Sequence, residues 1–188
     1  MLSPQETGQL AGALLALFFI SRKLKRLRRR RPRKSKQSPH ILHKKTARNT
    51  LTYLSKLDPK NDFPKIIATL RNLNPYAFED LIIMAFEQHG YRTDRNPSYS
   101  NDGGIDGKVF YNGRSILIQD KRYKATINPK HIDEFADVCK MHKTTGIFVH
   151  TGRTGPKSTQ AFQRNPQVAL YSGMRLARFV TGANPASL

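Results

Sequence analysis

The sequence predicts an α/β domain, a mixed central sheet flanked by helices, preceded by an N-terminal helical anchor segment and a basic linker. Three observations predict it. Asn112-Gly113 separates two strand-like runs and is the strongest short hairpin signal known. Asn74-Pro75 and Asn128-Pro129 each open a stretch of helical period, the Asn as cap and the Pro at the first helical position. Short β-rich runs at 146–151 and 167–171 then alternate with helical segments.

Taken in order, residues 10–20 (LAGALLALFFI) form an unbroken apolar run, and 11 Lys or Arg follow between Arg22 and Lys36. A helix over 7–21 spans roughly 22 Å against roughly 30 Å of hydrocarbon core, a gap that snorkelling of Arg22, Lys23 and Lys25 closes. Residues 1–21 are therefore expected to anchor the chain as a single pass. Basic residues on the C-terminal side place the rest in the cytoplasm, at a bacterial inner membrane. A soluble cytoplasmic chain with an amphipathic or partner-docked tail is the alternative. Residues 22–61 read as a basic linker, with at most a short helix at 44–57, and 62–188 as the domain. Inside it the spacing predicts helices at 63–73 and 75–89, the second stopped by Gly90, and a strand at 91–96. A loop at 97–104 and strands at 105–111 and 114–121 follow. Then come a helix at 129–141, a strand at 146–151, a helix within 155–164, a strand at 167–171 and a helix at 174–180.

Composition narrows the function. The chain carries 33 Lys and Arg against 13 Asp and Glu, a net charge of +20, which favours polyanionic partners. Residues 1–57 hold +14 of it, so the domain itself needs separate evidence for binding nucleic acid. The single Cys139 excludes an intrachain disulfide framework and a cysteine zinc site, and the six histidines lack ligand spacing.

The hairpin supplies that evidence. A two-residue turn pairs Tyr111 with Arg114, and the same register sets Asp106 opposite Gln119, on one face. Alternation adds Lys121 to that face and sends Asp120 to the other, where only its backbone carbonyl is expected to contribute. Glu79, Ile82, Ile83 and Phe86 share a helix stripe, so Glu79 is expected to approach Asp106, while Asp80 with Met84 and Glu87 is expected nearer solvent. Two carboxylates, an amide oxygen and a lysine suit Mg²⁺, with Mn²⁺ as substitute, and phosphodiester hydrolysis. The competing reading is a polar strand end with a surface Asp106–Lys121 salt bridge. Arg122, Lys124 and Lys130 flank the site and are candidate DNA-phosphate contacts, beside Tyr123. Asp102 is expected to order the Gly103-Gly104 loop, and Cys139 to be a small core residue.

NDGGIDG (101–107), followed by QDK (119–121), resembles the Mrr-type branch of the PD-(D/E)xK nuclease superfamily, in which Gln replaces the first acid of the motif. PYAFEDLI (75–82), GIFVHTGRTG (146–155) and SGMRL (172–176) are similar to its other segments, so the likeness covers roughly 70–180. It implies a restriction-endonuclease-like fold and a Mg²⁺-dependent DNA endonuclease, often one that restricts modified or foreign DNA. Carried over by position, Asp106 is the metal-binding acid, Gln119 the variant ligand, Lys121 the catalytic lysine and Glu79 the helix carboxylate. Asp120 stands where Cys is common, and His150, where Thr is common, receives no role. DNA is the expected partner, with a homodimer possible. A non-catalytic DNA-binding or membrane-scaffold protein and a junction resolvase remain as alternatives.

Overall fold

The computed structural model describes residues 38–95 and 104–183. The expected membrane anchor, the basic block at 22–36, most of the loop at 97–104 and Asp102 lie outside the described residues. Among the described residues no helix is long and apolar enough to cross a membrane.

Helix α1 (Pro39–Leu54) opens the fold. Ala47, Leu51 and Leu54, at i, i+4 and i+7, are buried along one stripe. Much of the stretch read as basic linker is therefore helical, at 39–54. The sequence offered only a short helix at 44–57 here, because the stretch is polar and weakly periodic and only three of the helix's side chains are buried. Helix α2 (Phe63–Asn72) follows, and then α3 (Pro75–Gln88). Asn74 caps α3 by accepting the Tyr76 N–H at 3.0 Å, and Gly90 takes φ +84° just past its end.

Strands β1 (Arg92–Arg95), β2 (Gly107–Tyr111) and β3 (Arg114–Lys121) form an antiparallel meander. Asn112 and Gly113 both take positive φ, 48° and 77°, as a two-residue hairpin turn of the mirror-image kind requires. Helix α4 (Pro129–Met141), capped by Asn128, carries the chain to β4 (Thr145–His150), parallel to β3. Helix α5 (Pro156–Arg164) leads to β5 (Val168–Tyr171), parallel to β4, and α6 (Gly173–Val180) closes the described chain. The sheet order is β1-β2-β3-β4-β5.

One face of the sheet, with Val109, Ile118, Ile147 and Val149, packs in one core with residues of α1, α2, α3 and α6. The other, with Leu117 and Phe148, packs against α4 and α5, where Cys139 is buried beside Phe135. Helix α3 is central to the first layer. Phe78, Leu81, Ile82, Ala85 and Phe86 are fully buried, each large side chain contributing about 1.5–3 kcal/mol of transfer free energy. Asp80, expected nearer solvent, is buried instead. It is held by Arg95 at 2.6 Å.

Candidate active site

The site lies where β2 begins and β3 ends. The antiparallel register holds through Gly107↔Ile118, as the turn dictates. Asp106, expected opposite Gln119, instead leaves the ladder. Its N–H donates to the Ile118 carbonyl at 2.9 Å, and its Oδ2 accepts the Asp120 N–H at 2.6 Å. A carboxylate beside the strand edge finds a backbone donor there, which regular pairing with Gln119 would not supply.

Gln119 is buried, and its Nε2 donates to the Gly104 carbonyl at 2.7 Å. A Cβ at Gly104 would come within 2.1 Å of that nitrogen, so a glycine is needed for the amide to dock, and φ of +85° suits glycine as well. The amide oxygen, Gln119 Oε1, is buried without a hydrogen-bond partner. Lys121, half-buried at the end of β3, stands beside His150 in the parallel ladder. Among the described residues it makes no ion pair with Asp106, so the surface salt bridge considered above does not form.

Asp120 departs most from expectation. Alternation sends its side chain to the face of Ile116 and Ile118, as read from the sequence, but that face is the one α3 covers. Glu79 of α3 is close enough that the two charges act on each other. Asp120 is thus a buried carboxyl among acids and not merely a backbone carbonyl. The signal that would have found it was present: the Glu79 stripe and the Asp120 face had to meet if α3 packed on β3.

The electrostatics follow from this crowding. Burial raises the Glu79 pKa to about 7, with the charges of Asp106 and Asp80 adding to it and Lys121 opposing. Burial raises Asp106 to about 6, against the Asp120 N–H and the Lys121 charge. Burial, then the charges of Asp106 and Glu79, push Asp120 well above the ordinary carboxylate range. His150 is fully buried, its Nε2 is 3.1 Å from Thr154 Oγ1, and burial lowers its pKa to about 4, so it is neutral at physiological pH.

The flanking cations differ among themselves. Lys124 is exposed, and Lys130 is exposed with its Nζ 3.6 Å from Glu134. Arg122, expected as a phosphate contact, turns inward instead. Its guanidinium donates to the Arg71 carbonyl at 2.5 Å, satisfying a carbonyl at the C-terminal end of α2. Arg71 in turn holds the Thr151 carbonyl at 2.9 and 2.6 Å. Tyr123 stacks on His131.

The donor set suits a hard divalent cation. All candidate ligands are oxygens, two of them buried without partners, and three carboxyls disfavour one another's charge. Among the described residues no three His, Cys, Asp or Glu side chains form a cage for a metal.

A model of the restriction endonuclease family Mrr_cat matches residues 70–180, more than half of the chain and a range that includes Glu79, Asp106, Gln119 and Lys121. The chain belongs to the Mrr_cat restriction endonuclease family. The description of that family is restriction endonuclease. Among solved structures it is similar to one described as MspJI restriction endonuclease in complex with a 27-mer oligonucleotide. That likeness has 20% identity and a TM-score of 0.42, over 72% of this chain and 31% of that one. No curated protein matches this Mrr_cat chain.

Proposed function

We propose that the chain is a divalent-metal-dependent DNA endonuclease, with Mg²⁺ as the natural cofactor, Mn²⁺ as substitute, and DNA as substrate. The observation that carries this reading is the meeting of Glu79, Asp106 and Lys121 at one end of the sheet, inside the segment the family model covers. Asp106 and the Gln119 amide oxygen would hold the cation directly, with Glu79 reaching it through water. When bound, Mg²⁺ supplies a Lewis acid at the phosphoryl oxygens and lowers the pKa of coordinated water.

The protein's own groups do the rest. The Asp120 N–H fixes the rotamer of Asp106, and the Gly104 carbonyl fixes that of Gln119. Lys121 orients the attacking water and balances the extra negative charge that develops on the phosphorane oxygens. Water attacks phosphorus, one P–O ester bond breaks, and a phosphomonoester and a hydroxyl result. Lys124, exposed beside the site, gives a contact to a neighbouring phosphate. The apolar run at 10–20 with its basic flank supports a membrane tether for this activity, which fractionation of the full chain against a chain starting at Ser38 tests.

The test of the chemistry is nicking of supercoiled, linear and branched DNA with and without Mg²⁺. Metal-dependent nicking that Lys121→Ala and Asp106→Ala both abolish or cripple is the expected result. Cleavage that both variants retain would assign the activity elsewhere. Selective cleavage of branched DNA would favour a junction resolvase.

A further inference from the structure

We propose that Asp120 is the second carboxylate of the cation site, paired with Asp106, and that it takes the place of the acid missing at Gln119. This rests on the nuclease reading above and goes beyond it, because the sequence assigns Asp120 no side-chain role.

Four observations carry it. Asp120 and Asp106 are joined directly, the backbone of one to the side chain of the other, at 2.6 Å. The Asp120 side chain is 7% exposed, and its Oδ2 is buried with no hydrogen-bond partner. A carboxyl so placed costs free energy unless a proton or a cation answers it. No basic side chain forms an ion pair with it among the described residues, although the Lys121 charge acts on it from a distance. Arg95 is engaged with Asp80 and Glu87, Arg122 with the Arg71 carbonyl, and Lys121 makes no ion pair with Asp120. Finally, Glu79 reaches the same face from α3, while half-buried Asp106 gives the pair its side toward solvent.

The pairing also accounts for the Gln at 119. A strand end with carboxylates on both faces, at 119 and 120, next to Asp106 and Glu79, would gather four acids around one dication. With the amide at 119, the acid comes from the α3 face instead. Two direct carboxylates with a third acting through water match what Mg²⁺ takes from proteins.

The experiment titrates Mn²⁺ into the full chain and follows the free-ion electron paramagnetic resonance signal, in parallel with plasmid nicking. Asp120→Asn keeps the shape and burial of the side chain. It should weaken Mn²⁺ at least as much as loss of an outer-sphere partner does, about 10–100-fold. Gln119→Leu should weaken it less. Metal-free Asp120→Asn should melt no lower than the parent, since one of three mutually repelling carboxyls is gone, whereas a structural role predicts a lower Tm. Unchanged Mn²⁺ affinity in Asp120→Asn, with Gln119→Leu the more damaging variant, would overturn the proposal while leaving the nuclease reading intact. A parent chain that neither binds Mn²⁺ nor nicks DNA would remove both.

Discussion

In the proposed reaction Lys121 and Asp106 serve different stages, so their variants should separate. Lys121→Ala removes one cation from a large set of phosphate contacts, so DNA affinity should stay near the parent's. Single-turnover cleavage should slow by about 10²–10³, the usual cost of losing one electrostatic stabiliser of a transition state. Asp106→Ala should abolish metal-dependent cleavage outright. The carboxyls also give the metal-free protein a pH signature. Glu79 at about 7 and Asp106 at about 6 hold protons in the folded state that the unfolded chain has already released. Folding then binds protons between the ordinary carboxylate range and about pH 7, so stability falls as pH rises through that window. Thermal melting in chelator should show Tm declining from about pH 5 to 7, and saturating Mg²⁺ should flatten the decline. A Tm that rises over the same range would mean that these carboxyls are already paired.

At the scale of elements, α1 is the piece whose weight the structure reveals. Leu54 is fully buried at its C-terminal end, so Leu54→Ala should cost about 2–5 kcal/mol, read as a lower urea midpoint at unchanged slope. An unchanged midpoint would mean that α1 is not part of the cooperative unit. The elements legible in the sequence were those with local chemistry at their ends. Asn74-Pro75, Asn128-Pro129 and Asn112-Gly113 each specify a cap or a turn within four residues, and the helices and strands they bound lie where expected. What the sequence hid depends on coverage. Helix α1 buries only three residues, so its extent did not show, and Asp80 reads as solvated because its partner Arg95 lies 15 residues away. Asp120 was placed on the correct face of β3 by alternation, but what packs on that face is a long-range fact. Arg122 looked like a phosphate ligand because nothing near it in sequence announces the Arg71 carbonyl.

For the whole molecule, charge is divided between a domain of modest excess and an N-terminal segment that holds 11 basic residues between Arg22 and Lys36. Removing residues 1–37 should therefore reduce the salt dependence of DNA binding, each lost phosphate contact lowering the log–log slope by about 0.9. Equal slopes would assign the segment to another polyanion, an acidic membrane surface being the alternative. The two arginine links at the catalytic end carry a different consequence, for the order of assembly. Arg122 to Arg71 spans 51 residues and Arg71 to Thr151 spans 80, whereas the hairpin beside them closes through two. Loop closure over such separations is entropically expensive, so these links should form after the folding transition state. Arg71→Ala should then speed unfolding while leaving the refolding rate nearly unchanged. The strand end that bears Lys121 would be the last part of the Mrr_cat domain to set.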